Sequence, residues 1–218
     1  MIDKNKEAFE KARAQSYLDL VEHIRSRLPS YGVPKTVIQN IDNPKITRSV
    51  EALNPGSAKV INVLSGGTGV GKTTAAGIWF MEKVVQAASP QLDREYVENW
   101  TVWTPETGLY FAHVPLMLES RILSRISNYD QGEIDRVTLA EVLVIDDLGT
   151  EYLDKNGFLS SFLDEIVNVR YKEQLPTAIT TNLDSTAFAD RYGERVVDRI
   201  REFGKFVSVH GESMRKAK

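Results

Sequence analysis

Leu64-Ser65-Gly66-Gly67-Thr68-Gly69-Val70-Gly71-Lys72-Thr73-Thr74-Ala75-Ala76-Gly77 joins a short apolar run to a helical pattern. The run before it, residues 60–64, reads as a buried strand. Gly66 to Thr73 fits G-x-x-x-x-G-K-[ST], in the strand-then-helix context that this pattern requires. Each residue type has a task. Glycines let the backbone wrap so that successive N–H groups point inward at phosphate oxygens. The N-terminus of the following helix adds its positive dipole end. Lys72 brings a full charge to the β- and γ-phosphates, and the Thr73 hydroxyl ligates Mg²⁺. The candidate nucleotide-binding residues are therefore Gly66, Gly67, Thr68, Gly69, Val70, Gly71, Lys72, Thr73 and Thr74. No N/T-K-x-D guanine-reading sequence is present, which favours ATP.

Further along, Leu143-Val144-Ile145-Asp146-Asp147 is an apolar strand that ends in two acids. Carboxylates at the C-terminal end of a buried strand lie where α/β sheets bind ligands. Adjacent strand residues point to opposite faces, so the two acids should have different jobs. Asp146 is the candidate Mg²⁺ ligand and Asp147 the general base that polarises the attacking water. The strand at 177–181 ends in Thr180-Thr181-Asn182, which puts a polar Asn182 beside the carboxylates, where it can orient water or touch the γ-phosphate.

The remaining strand patterns are at 109–114 and 205–209, with helical patterns between. In the helix read at 158–171, Phe158, Phe162 and Ile166 share an apolar face with Leu159, Leu163 and Val167. Apolar strands alternating with amphipathic helices predict an α/β fold with a mostly parallel sheet covered on both sides. Residues 7–28 predict an amphipathic helix, with Tyr17, Leu20, Val21, Ile24 and Leu28 at helical spacing and Pro29 as a stop. That helix can pack on the core or lay its apolar face in a partner's groove, and the two readings stay open. Residues 89–107 read as an insertion. Tyr96, Trp100 and Trp103 could stack bases, but Asp93, Glu95, Glu98 and Glu106 against one Arg94 would repel a phosphate backbone. Packing or a protein contact is the preferred reading of that segment.

The bulk composition narrows the class. The chain has 218 residues, 42% hydrophobic and 26% charged, with a net charge of −3. No apolar run is long enough to span a bilayer, and the polar N-terminus lacks the apolar core of a secretory signal. There are no cysteines, which excludes disulfides and cysteine-ligated zinc and fits a cytoplasmic protein. The three histidines, His23, His113 and His210, show no metal-ligand spacing.

Near the C-terminus a short helix carries Arg195, Arg199 and Arg201, the first two on one face. In the sequence, only Lys72 and Mg²⁺ are in place to neutralise a transferring γ-phosphoryl group. An arginine from a neighbouring subunit would add the missing charge, and such fingers are worth roughly 10³–10⁵ in rate.

The phosphate loop, LVIDDLGTE, PTAITTNL and YGERVVDRI occur in this order. Together they resemble the AAA+ ATPases of the DnaC/DnaI/IstB type, helicase loaders and transposase helper proteins. The resemblance covers about residues 31–215, starting near Tyr31-Gly32-Val33-Pro34, with residues 1–30 as an N-terminal helical extension and 31–218 as the ATPase domain. It implies a five-stranded parallel sheet with the phosphate-loop strand central, ATP at the interfaces of a homo-oligomer, ssDNA contact, and a replicative helicase or a transposase as partner. By this resemblance Asp146 is the Walker B acid, Asp147 the catalytic acid, Asn182 sensor 1, Arg199 the arginine finger and Arg195 a second contact. After Val209 only HGESMRKAK follows, too short for a full helical lid, so the lid is expected to be minimal or absent and Arg215 is the positional candidate for sensor 2.

The leading expectation is an Mg-ATP-hydrolysing, oligomerising helicase loader. An IstB-like transposition helper and an ATP-gated adaptor with little hydrolysis are its alternatives. A small-molecule kinase fits less well, because no lid-like segment supplies arginines in cis and paired carboxylates suit water activation.

Overall fold

A computed structural model of the chain describes residues 2–42, 53, 60–99, 111–126, 130–151 and 158–214; of residues 2–6, 8, 9, 93–99 and 158 it gives the helical backbone alone. The first helix, α1 (Ile2–Arg27), leads through a 3₁₀ turn (Leu28–Tyr31) to the single-turn helix α2 (Lys35–Ile38). Strand β1 (Ile61–Gly66) enters the phosphate loop, and α3 (Lys72–Asn99) leaves it. Then follow β2 (Leu116–Glu119), the short helix α4 (Ser120–Leu123), α5 (Gln131–Thr138) and β3 (Leu143–Leu148). Helix α6 (Phe158–Lys172), β4 (Thr177–Thr181), α7 (Ser185–Tyr192), α8 (Glu194–Phe203) and β5 (Gly204–Val209) complete the order.

The five strands form one parallel sheet in the order β2-β3-β4-β1-β5. The expected α/β sheet is thus present, with β1 an interior strand and β4, not β1, in the middle place. β1 and β4 are buried along almost their whole length, as strands covered on both faces must be. One face is covered by α1 and α3, through Leu20, Ile24, Leu28, Trp79, Phe80 and Val84. The other is covered by α6, α7 and α8, where Phe162, Ile166, Phe188, Val197 and Ile200 pack on Val63, Ile145 and Ile179.

Three sequence expectations change. The second strand is not at 109–114: residues 109 and 110 lie outside the described set, 111–115 form no strand, and β2 begins at Leu116. Pro115 separates the run at 109–114 from β2; without an N–H it cannot donate to the ladder, which suits a place just before the strand. The segment read as an insertion from residue 89 begins as a continuation of α3, which runs through Pro90 to Asn99. Burial of Val85, Ala88 and Leu92 along one side keeps that helix packed past a residue that lacks an amide donor. The rings of Tyr96, Trp100 and Trp103 lie outside the described residues. Helix α1 spans 2–27 rather than 7–28, and its apolar side packs on α3, while Tyr17 stays about half exposed.

At the end of the sheet away from the phosphate loop, Arg170 is fully buried. Its guanidinium donates to Thr177 Oγ1 at 2.6 Å, Thr138 O at 3.1 Å, Ala140 O at 2.7 Å and Pro176 O at 2.9 Å. Burial pushes its pKa down to about 9, still well above neutral, so the charge persists and is met by oxygen dipoles. No helix among the described residues is long and apolar enough to cross a membrane.

Because Ile24 is fully buried against α3, Ile24→Ala is expected to cost about 2–4 kcal/mol in urea unfolding and to leave a single cooperative transition. A change below about 0.5 kcal/mol would mean that α1 is dispensable to the core.

Candidate nucleotide site

The C-terminal ends of β1, β3 and β4 meet at the phosphate loop, where a parallel sheet gathers its ligand-facing groups. Between β1 and α3 the chain takes left-handed backbone at Gly69 (φ 85°) and Gly71 (φ 91°), which glycine allows without strain. Gly69 is also hemmed in: a Cβ there would lie 2.2 Å from Ser213 Oγ, and its carbonyl accepts from the Met214 amide at 2.9 Å. The segment after β5 therefore folds back onto the phosphate loop. Arg215, the expected sensor 2 residue, lies outside the described residues.

Lys72 is buried at the first position of α3. Its ammonium donates to Gly66 O and Gly67 O, each at 2.7 Å, and to Asn182 Oδ1 at 2.8 Å. The Asn182 amide reaches on to Asp147 Oδ1 at 3.4 Å, a long contact. Asn182 therefore stands between the lysine and the second acid.

Asp146 is buried, and its Oδ1 accepts the Thr180 hydroxyl at 2.6 Å. Burial raises its pKa above the ordinary carboxylate value, hydrogen bonds from Thr180 and Thr73 oppose the rise, and the charges of Asp147 and Glu119 add to it. Thr180 also accepts the Asp147 amide at 2.9 Å, so one hydroxyl ties both acids to β4. Sequence reading passed over Thr180. Its signal was a second hydroxyl residue at the same strand tip as Asn182.

Strict alternation would put Asp146 and Asp147 on opposite faces. The β3–β4 pairing instead slips between Ile145 and Leu148, and Asp147 adopts φ 57°, left-handed backbone that aspartate tolerates better than most residues. Both acids consequently line one cleft of about 930 Å³. Thr68, Gly69, Gly71, Lys72, Thr73 and Thr74 line its phosphate end, together with Asn182. Pro34, Thr36, Val37 and Asn40, around α2, line another part of the wall; the sequence marked Pro34 only as part of the stretch where the resemblance begins, and the other three not at all. Glu119, Arg121 and Met214 were likewise missed, and Arg121 brings a second cationic side chain to the cleft. Gly66 and Gly67 meet the Lys72 ammonium through their carbonyls, while Val70 sits within the loop and is not part of the lining.

Arg195 and Arg199 are not among the residues lining this cleft. Both turn to Asp164 on α6: Arg199 Nη1 donates to Asp164 Oδ1 at 2.7 Å, and Arg195 Nη2 lies 3.5 Å from Asp164 Oδ2. The Arg195 side chain is 72% exposed and that of Arg199 22% exposed, so Arg195 is the freer of the pair.

No protein-family model and no curated protein matches the chain. Solved structures do resemble it. A proposed primosome component from Streptococcus pyogenes serotype M3 is 18% identical, with a TM-score of 0.51 over 84% of this chain and 92% of its own. AMPPCP-bound DnaA from Aquifex aeolicus is 15% identical, with a TM-score of 0.50 over 75% of this chain and 44% of its own. The DnaC helicase loader is 24% identical, with a TM-score of 0.48 over 84% of this chain and 96% of its own. At these identities the likeness is one of architecture, and the chain has the AAA+ P-loop NTPase fold.

Proposed function

We propose that the chain binds Mg-ATP in this cleft, hydrolyses it at the interfaces of a homo-oligomer, and works on DNA-bound replication machinery as a helicase loader of the DnaC type. The observation that carries the reading is a buried carboxylate, Asp146, hydrogen-bonded by Thr180 and the phosphate-loop Thr73, with Lys72 and Asp147 joined nearby through Asn182. A fold shared with a primosome component and with AMPPCP-bound DnaA supports the same ligand class and setting.

A divalent cation suits this donor set: one hydroxyl and one desolvated carboxylate are hard oxygen ligands, and magnesium takes few protein ligands when phosphates supply others. Thr73 and Asp146 would hold Mg²⁺, which when bound neutralises charge on the phosphate oxygens. The loop amides and Lys72 bind the triphosphate, the ammonium exchanging carbonyl partners for phosphate oxygens. Asp147 accepts the proton of the attacking water, and Asn182 fixes its orientation relative to Lys72. Arg199, with Arg195 beside it, serves the neighbouring protomer's ATP and leaves Asp164 to do so. ssDNA and a replicative helicase are the proposed partners, and Arg215 remains the proposed sensor 2 residue. The cis pairing of Arg199 with Asp164 favours a second reading, an adaptor that binds ATP and hydrolyses it little.

Turnover per protomer across a protein dilution series, with and without ssDNA, separates these readings. Specific activity that rises with concentration and with DNA supports shared sites on a loader. Flat activity removes the shared site, and tight ATP binding with near-zero turnover leaves the adaptor. Lys72→Ala is expected to abolish nucleotide binding or turnover in the same assays. Arg199→Ala should spare ATP affinity in the monomer and lower turnover by roughly 10³-fold or more; lost monomer affinity would exclude a role in trans.

A raised Asp146 pKa means that the native protein holds its proton more tightly than the unfolded chain. The resulting stability is complete below the ordinary carboxylate value and is lost as pH rises through the raised one. Asp146→Asn is therefore expected to raise the thermal midpoint of the nucleotide-free chain at pH 7. It should also remove the EDTA-sensitive part of the stabilisation that Mg-ATP gives. A midpoint that falls, with Mg²⁺ dependence intact, would contradict the assignment.

A further inference from the structure

Asp147 sits in left-handed backbone, and its turn is held by Thr150 at the cleft wall and by Ser120 and Glu151, which do not line the cleft. Its carbonyl accepts the Ser120 hydroxyl at 2.9 Å and the Thr150 hydroxyl at 3.0 Å. Glu151 then turns back, its Oε2 accepting the Gly149 amide at 2.8 Å, and Ser120 hydrogen-bonds to the same carboxylate. The single Ser120 proton is shared between two acceptors, the Asp147 carbonyl and the Glu151 carboxylate.

The other oxygen of Glu151 faces α7. Tyr192 donates its hydroxyl to Oε1, and the Arg191 guanidinium lies 3.3 Å from the same atom and also donates to the Glu151 carbonyl. Glu151 is 3% exposed and does not line the cleft. Arg191 and Tyr192 end α7. The next residue, Gly193, has φ 97° and ψ 145°, backbone open in practice to glycine alone, and an added Cβ would meet nothing within 4 Å. Beyond this glycine α8 carries Arg195 and Arg199.

We propose that Glu151 is a positioning residue for ATP hydrolysis: its carboxylate fixes the turn that presents Asp147 to the cleft, and ties that turn to the end of α7, next to Gly193. The inference rests on the reading of Asp147 as the general base. A carboxylate suits the place because both oxygens only accept, and donors approach each from opposite sides. A glutamine there must aim its NH₂ either at the Gly149 amide or at the Tyr192 and Arg191 donors, so one side of the tie breaks. The cluster does not touch the phosphate loop, so ATP binding should not feel the loss.

The test compares the full-length parent, Glu151→Gln and Tyr192→Phe by steady-state turnover at saturating ATP and by titration with a fluorescent ATP analogue. Displacing a catalytic group by a fraction of an ångström to 1 Å costs about ten- to a hundredfold in rate. Glu151→Gln is therefore expected to lower kcat by about tenfold or more, with analogue affinity within about threefold of the parent. Tyr192→Phe, which removes a single hydroxyl on the α7 side, should lower kcat by a smaller factor, about threefold to fivefold, with affinity unchanged. It keeps the test decisive where the glutamine variant does not fold. Turnover within twofold of the parent in Tyr192→Phe overturns the proposal, and so does turnover that falls only in parallel with affinity. A parent that binds the analogue and never turns over ATP removes the hydrolytic reading itself, whereas an active parent with equally active variants removes only the role of Glu151.

Discussion

One hydroxyl organises the cleft end of the sheet. Thr180 Oγ1 donates to the Asp146 carboxylate and accepts the Asp147 amide, across the point where the β3–β4 ladder slips. In a regular ladder the two acids would face opposite sides of the sheet. The hydroxyl gives the Asp147 amide a partner where the bulge interrupts the ladder. It also supplies a donor to a carboxylate short of water. From that contact follows a cleft with both acids on one wall, the lysine bridged to the second of them by Asn182.

Charge is distributed along the sheet according to what meets it. At the cleft end Asp146 is desolvated, which raises its pKa; hydroxyl hydrogen bonds from Thr180 and Thr73 oppose the rise, and the nearby charges of Asp147 and Glu119 add to it. Behind it, Glu151 is also buried, and burial pushes its pKa up, yet it is held below its ordinary value because the Tyr192 hydroxyl, the amides of Glu151 and Gly149 and the Ser120 hydroxyl outweigh its desolvation. At the far end Arg170 is buried among oxygen dipoles and joins the entry of β4 to the end of α5. The last two charges are fully bonded within the chain and suit structure. Asp146 keeps a deficit that an incoming cation can meet.

The phosphate loop and the acid pair were legible because their chemistry is local in sequence. A strand, a glycine turn and a helix start are consecutive, and an apolar strand broken by two carboxylates has few structural uses. The parallel sheet was legible for the same reason, in continuous apolar runs separated by amphipathic helices. The strand at 116–119 was missed because two short apolar runs flank Pro115, and periodicity cannot say which of them reaches a partner strand. The continuation of α3 beyond Pro90 was missed because a local breaker signal yielded to packing of Leu92.

The sequence by itself determined the glycine-rich loop between strand and helix, the alternation of strands with helices, and the identity of the acids, since each depends on neighbours along the chain. Only the tertiary structure decided that both acids share one face, because a bulge is a property of two paired strands. It alone set Arg195 and Arg199 against Asp164, brought α2 and Met214 to the cleft wall, and gathered Glu151, Arg191 and Tyr192. Those partners are separated by tens of residues and meet only when the sheet has formed.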